Sequence, residues 1–355
     1  FPFTATVEGM YTKNINAVML DNYNYRTPES GNWDRFSGSD NRLIYPSTFR
    51  YYTNFTNSTV LTNTNEGYGY TFNITLNAQP VKNLNLMAAY TRTEMKEVSG
   101  MPGSNATSAW VNLYTVDGPN LSKVQRSQYV TPDQVIGSMS YQIPYLKNHM
   151  GSTISLFYRG FSPYGNSYAY SNDMNGDGIS NDLMYIPKEP DDIKFRDITK
   201  TEDGTVTVVN TAKDQSDAFF AFMEQDSYLK KNKGNYAEAY AARPPFVHKF
   251  DLRFLQDFSV KVGQTRNTLQ LSVDILNVGN LLKSTWGVNQ SNTASGSGQI
   301  LRYAGRDANN APTYTLNKVN VTQTYAGDFP TKTYSNLLNY NQCWSLQIGL
   351  RYIFN

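Results

Sequence analysis

Cysteine is nearly absent from this chain of 355 residues: Cys343 stands alone, which excludes an internal disulfide framework. Histidine is almost as scarce. His149 and His248 lie far apart in the sequence, which argues against a histidine-based catalytic or zinc site. Charged residues make up 17%, below the roughly 25% usual in soluble domains. The net charge of +2 gives no electrostatic reason to expect a nucleic acid partner. No run approaches the roughly 18 apolar residues of a transmembrane helix. Leu, Ala, Glu and Lys are too sparse for a helical bundle. There is no nucleophile elbow, P-loop, dinucleotide fingerprint or pair of catalytic carboxylates, so no enzymatic activity is expected. The sequence opens at Phe1 without Met, and no charged-then-apolar leader precedes its first strand. It therefore reads as a fragment, or as a mature chain with its front missing.

What the sequence has in abundance is aromatic residues, 14% of the total with 27 Tyr among them, set among Asn, Ser and Thr. That composition is too apolar for a disordered tail and favours strands. Strict alternation at period two confirms the preference. Trp344, Leu346, Ile348, Leu350, Tyr352 and Phe354 share one face, and Ser345, Gln347, Gly349 and Arg351 the other, with Ile353 as the exception. Tyr68, Tyr70, Phe72, Ile74, Leu76 and Ala78 alternate with Gly69, Thr71, Asn73, Thr75 and Asn77. Phe246, Phe250, Leu252 and Phe254 oppose Lys249, Asp251 and Arg253. Leu269, Leu271, Val273 and Ile275 oppose Gln270, Ser272 and Asp274. Weaker examples at Phe3–Tyr11, Leu84–Tyr90, Val135–Tyr145 and Ile154–Gly160 bring the expected strands to eight.

A soluble antiparallel sheet with one wet face produces the same alternation, so the links must discriminate. Three are short, around Gln79–Asn83, Leu146–His149 and Ser259–Asn267. The others are long, about Asp21–Thr59, Glu97–Thr131, Ala169–Arg243 and Gly287–Gln342. Short and long links alternate, which puts all the long ones at one rim of an antiparallel sheet. Outer-membrane β-barrels are built this way, with short periplasmic turns and long external loops, whereas such loops are uncommon in compact soluble domains. The expected fold is thus all-β, an antiparallel transmembrane barrel wall with long extracellular loops and a short helix, located in the outer membrane with lipid as its partner. Tyr68, Tyr70, Tyr90, Tyr145, Trp344, Tyr352 and Phe354 are placed to form aromatic girdles. Eight strands leave a barrel interior with room only for its own side chains, so the chain fits better as one wall of a larger barrel.

Two loop segments carry motifs. In Asp173–Asp182, oxygen ligands at alternate positions (Asp173, Asn175, Asp177), Gly at the sixth, the Ile179 carbonyl at the seventh and Asp182 nearby resemble the opening of a calcium-binding loop. The bidentate Glu is missing, since Met184 stands there. The alternative is an Asx-rich loop held by its own side-chain-to-backbone bonds. In Asp214–Leu229, Phe219, Phe220, Phe222 and Met223 recur at helical spacing before a Lys-Lys-Asn-Lys-Gly stop. That segment reads as a short helix over the barrel mouth, either packing there or contacting ligand. Cys343 is expected to be unpaired at the mouth of the last strand, and His248 to be a satisfied interfacial histidine.

Three stretches together resemble the TonB-dependent outer-membrane receptors of Bacteroidetes, specifically the Oar-like group. They are DMNGDGISNDLMYIP (Asp173–Pro187), FMEQDSYLKKNKGNYAEAYAARPPFVH running into KFDLRFLQDF, and LQLSVDILNVGNLLKSTWG with the closing WSLQIGLRYIFN. The resemblance spans essentially the whole chain. It implies that residues 1–355 are the C-terminal part of a barrel of about 22 strands, the eight strands here being the last eight. A plug and an N-terminal sandwich would belong to the missing front. It further implies energised uptake of a scarce, bulky solute, coupled through that plug to the TonB-ExbB-ExbD system. The closing strand resembles the signal read by the barrel-assembly machinery, although Asn355 follows the aromatic Phe354. A surface lipoprotein over the mouth is a further implied partner. The competing expectations are a passive porin or adhesin-like barrel, an outer-membrane enzyme, and a secreted β-sandwich lectin.

Overall fold

The computed structural model describes residues 2–30, 33–147, 149–294, 298–319 and 326–354; Phe1 and Asn355 lie outside the described residues. Strand accounts for 47% of it and helix for 12%, so the chain is all-β. Strand pairing is antiparallel except where Lys194–Phe195 runs parallel to Thr313–Tyr314, and two isolated bridges, Thr115 to Asp182 and Tyr170 to Leu301, are also parallel.

Eight long strands form one wall: β1 (Phe3–Lys13), β2 (Tyr68–Ala78), β3 (Leu84–Glu97), β4 (Asp133–Tyr145), β5 (Met150–Phe161), β6 (Val247–Val262), β7 (Thr265–Leu276) and β8 (Ser345–Phe354). They lie side by side in sequence order, with β1 and β8 at the two edges. The sheet is open: among the described residues neither edge strand pairs on its outer side.

All eight expected strands are present, but several run longer than alternation alone suggested. β6 continues past Phe254 to Val262, and its link to β7 shrinks from the expected 259–267 to residues 263–264. Gln256 had interrupted the apolar face. It is tolerated there because Tyr145 and Ser152 donate to its Oε1 at 3.0 and 2.8 Å, while its Nε2 donates to the Gly151 and Asp257 carbonyls. β3 likewise continues past Tyr90, where Arg92, Glu94 and Lys96 replace apolar residues on the same face.

The rims sort as the link lengths predict. Lys13 pairs with Tyr68, Tyr68 with Lys96, Arg92 with Asp133, Phe161 with Val247, and Leu276 with Ser345. The four long links, residues 14–67, 98–132, 162–246 and 277–344, therefore all leave one rim. The links at 79–83, 146–149 and 263–264 close the other. No helix among the described residues is long and apolar enough to cross a membrane, which has no bearing on crossing by strands.

Register ties the faces together. The pairs Phe3–Ala78–Leu86–Met139–Leu156–Leu252–Ile275–Leu346 make one apolar row across all eight strands. That row starts at the turn rim of β1 and arrives near the loop rim of β8, so the strands are sheared and tilted relative to the rims. On the opposite face polar side chains join across strands: Asn73 donates to Glu8 and accepts from Thr91, Ser140 meets Ser155 at 2.9 Å, and Arg253 pairs with Asp274. The long links fold into a separate layer whose two buried clusters contain none of the apolar-row residues. Apart from residues 279–288, which lie against Phe250 at the loop rim, nothing among the described residues covers the apolar face of the wall: Leu76, Met139 and Phe254 are 39%, 38% and 36% exposed.

Candidate functional site

The long links build a cap with its own core. One cluster joins Phe36, Tyr168, Tyr170, Met184, Phe219, Phe222, Ile300 and Tyr314, so three links contribute. A second gathers Leu20, Tyr25, Tyr45, Phe49, Trp110 and Ile179, with Trp110 on the short helix α1 (Ala106–Val111). Tyr25 sits edge-on to Trp110 at 5.1 Å and to Phe49 at 4.8 Å, geometries that aromatic pairs favour.

Between the clusters lies a charged knot. Arg42 is fully buried; its Nε and Nη2 donate to the two oxygens of Asp40 at 2.9 and 3.0 Å, and Nη2 also donates to the Leu183 carbonyl at 2.6 Å. Nη1 faces Asp182 at 3.7 Å. Asp40 also accepts from the hydroxyls of Tyr170, Tyr236 and Tyr314 at 2.8, 3.0 and 3.3 Å. Burial works against the charge of Arg42, but Asp40, Tyr170 and Asp182 around it raise its pKa overall. Removing one partner from such an arrangement strands a buried charge, which is why the knot ties the links at 14–67, 162–246 and 277–344 into one body.

The 173–182 turn stands beside this knot. Asp173 Oδ1 and Oδ2 accept from the Gly176 and Gly178 amides at 2.7 and 2.8 Å, Asn175 Oδ1 from Asp177 N, Asp177 Oδ1 from Ile179 N, and Asp182 Oδ2 from Met174 N. Gly176 and Gly178 have φ of +86° and +88°, a conformation that residues with a Cβ rarely adopt. Tyr45 N donates to the Asn175 carbonyl and Tyr25 Oη to the Asp177 carbonyl, pinning the turn to the second cluster. Ile179 places its side chain in that cluster. The five residues singled out from the sequence are thus brought together, and the side-chain-to-backbone bonds of the Asx-turn alternative are all made. Among the described residues no group of three or more Asp, Glu, His or Cys side chains is arranged to hold a metal ion. Burial, and then the neighbouring carboxylates, push Asp177 well above the usual carboxylate range; burial raises Asp182 to about 7 against the pull of Arg42.

The expected helix over 214–229 is two helices. α2 (Ala212–Gln225) starts at a capping box in which the Thr211 side chain accepts from Asp214 N and Asp214 accepts from Thr211 N. Asp226 ends it and caps α3 (Ser227–Lys231) by accepting from Leu229 N at 2.8 Å. Phe219, Phe222 and Met223 are buried in the first cluster, and Phe220 packs against it. The apolar stripe of α2 is therefore spent on the cap core.

A cavity of about 750 Å³ opens in the cap where three links meet. Tyr114, Gln128, Asn166, Tyr240 and Gln299 line it together with residues 178–181 of the turn; no residue of α2 does. Sequence reasoning missed these side chains because they come from scattered positions with no spacing in common. The turn was legible, and it supplies one side of the cavity. Of the remaining candidates, Cys343 is free and exposed just before β8. His248 lies on the apolar face, with Nδ1 2.8 Å from the Tyr158 hydroxyl, so its polar atom is satisfied.

No family model, no curated protein and no solved structure matches this chain.

Proposed function

We propose that this chain is wall and mouth of an outer-membrane β-barrel that takes up a bulky solute under TonB control. The observation that carries the proposal is the uncovered apolar face running across eight strands whose long links all leave one rim. Soluble monomers rarely leave contiguous apolar patches beyond a few hundred Å². A lectin-like sandwich would cover this face with a second sheet, and the face has none among the described residues.

The limits of the apolar belt support the same reading. Toward the loop rim, the hydroxyls of Tyr70 and Tyr90 donate to Glu94 and Asp133 at 2.8 and 2.7 Å. Those carboxylates belong to a charged network with Arg92, Arg126, Lys96 and Glu238. Toward the turn rim stand Tyr145, Phe258, Tyr352 and Phe354. Tyrosines, with an apolar body and a wet tip, belong at lipid–water boundaries, and Phe258 and Phe354 fill out the aromatic girdle beside them. Because backbone groups in lipid must all be paired, the free edges of β1 and β8 require further strands, and closure into a larger barrel supplies them.

In this mechanism the cap captures the solute, a plug inside the barrel rearranges when TonB-ExbB-ExbD engages it, and a polar path opens along the wet face of the wall. The closing strand addresses the barrel-assembly machinery. A surface lipoprotein belongs over the mouth. Calcium in the 173–182 turn belongs to the proposal in a restricted form: an ion would have to draw Asp177 Oδ2 and Asp182 Oδ1 away from Asn175 and Arg42, because the remaining side-chain oxygens of Asp173, Asn175, Asp177 and Asp182 accept from backbone amides.

The test is to express the complete open reading frame that contains this chain and follow it through cell fractionation. The expected result is an outer-membrane protein whose unboiled form migrates anomalously on gels and whose solute uptake stops when TonB or the proton gradient is removed. Uptake indifferent to both would establish the passive-barrel alternative. Recovery as a detergent-free soluble protein would end the membrane reading altogether.

A further inference from the structure

The cap cavity has an unusual chemical make-up. Every lining residue is uncharged: aromatic, amide, hydroxyl, aliphatic, Pro or Gly. Its volume falls within the roughly 300–1,000 Å³ of small-molecule sites. Tyr114 and Tyr240 meet edge to face at 5.7 Å and 83° on its wall.

Tyr240 is held there under strain. Its φ is +56°, a left-handed conformation that residues with a Cβ rarely adopt. Two neighbours enforce it. Ser167 Oγ accepts from Tyr240 N at 2.9 Å, and Gly165 approaches the Tyr240 carbonyl so closely that a Cβ on that glycine would lie 1.8 Å from the oxygen. Strain of this kind persists where surrounding structure imposes it, and it concentrates at ligand sites. The hydroxyls of Tyr114 and Tyr240 and the side-chain amides of Gln128 and Gln299 make no hydrogen bond within the described residues. Burial raises the pKa of both phenols, so both stay protonated and able to donate.

A cavity with aromatic faces, free amides and hydroxyls, and no fixed charge suits a ligand that is itself neutral and rich in hydroxyl groups. An anionic chelate or phosphorylated solute would lose its hydration without gaining a counter-charge. We propose that this cavity binds a short neutral oligosaccharide, with Tyr240 and Tyr114 as its stacking platform and Gln128 and Gln299 as hydrogen-bonding partners. The inference deepens the uptake reading and takes its biological sense from it, but its test is one of binding alone.

The detergent-solubilised full protein would be titrated by calorimetry with a panel of neutral gluco-, manno-, galacto- and xylo-oligosaccharides, a ferric catecholate complex and an uncharged peptide. At least one saccharide is expected to bind, and neither of the other probes to compete with it. Tyr240→Gly is the decisive variant. Glycine accepts the backbone angle at this position; because Tyr240 also packs against the first cap cluster, the variant is read only after protease resistance shows the cap intact, and affinity should then fall about tenfold or more. Gln128→Ala should weaken binding in the same direction, and Tyr240→Phe should retain most of it. Saccharide binding unchanged in Tyr240→Gly overturns the inference. So does failure of every saccharide, whether or not the chelate or the peptide binds. A protein that assembles in the outer membrane yet prefers the chelate or peptide would refute the ligand class and leave the transport proposal standing.

Discussion

The wall and the cap of this protein use the same amino acids to opposite ends. In the wall, Leu156, Leu252 and Ile275 lie side by side on a face left largely open among the described residues, while Glu8, Asn73 and Thr91 join across strands on the other. In the cap, Phe219, Phe222, Ile300 and Tyr170 are buried among one another, and a charge as costly as Arg42 is enclosed with its partners. The wall leaves apolar surface whose burial would stabilise it. The cap carries its own hydrophobic core, as a water-soluble domain does. On the proposed membrane reading one chain serves two solvents, and the boundary between them would fall at the tyrosines and charges above the belt.

The strongest perturbation of that contrast lies in the cap. Replacing Arg42 by Ala leaves Asp40 and Asp182 buried without a cation, and a loss of about 3–5 kcal/mol is expected. The wall should survive, so the gel-mobility signature of assembly would persist while proteases cut links 14–67 and 162–246 rapidly. Loss of assembly together with the cap would show that the two regions do not fold separately.

Next in size is a charge on the apolar row. Leu156→Arg is expected to cost about 2–4 kcal/mol if Leu156 sits near the bilayer midplane, and to reduce the assembled fraction in the outer membrane. Ser155→Arg, one residue away on the wet face, should be tolerated. Equal effects from the two variants would mean that the faces do not differ in solvent, and the membrane proposal would fail on that result.

The smallest expected effect is local and depends on pH. Burial raises Asp182 from its usual 3.8 to about 7, so the folded turn holds a proton that the unfolded chain releases. Stability from this group is then greatest below the unfolded value and declines as pH rises through about 7. Hydrogen exchange across 173–182, corrected for intrinsic rates, should show more protection at pH 5 than at pH 8. Asp182→Asn should flatten the dependence. Calcium added at pH 8 should restore protection if an ion occupies the turn, and a profile indifferent to calcium in the native protein removes it from the proposal.

The wall was legible because its code is local. Alternation at period two assigns each side chain to a face, and link length assigns each connection to a rim, so Trp344–Phe354 could be read without knowing what lies beside it. Where that code was broken for a reason outside the strand, the reading stopped early: Gln256 is acceptable on the apolar face only because Tyr145 and Ser152, on β4 and β5, complete its hydrogen bonds. The 173–182 turn was likewise found in the sequence, since its amide and carboxylate partners lie within a few residues of one another.

By itself, then, the sequence determined that this is an all-β chain with two-faced strands, short turns at one rim and long links at the other. These properties follow from spacing along the backbone. Only the tertiary structure decided that the links form a packed cap, that Asp40 and Arg42 lock it, and that Tyr114, Gln128, Tyr240 and Gln299 share one cavity. Such contacts join residues separated by tens to hundreds of positions, and no periodicity along the chain records which distant side chains exclude water from each other.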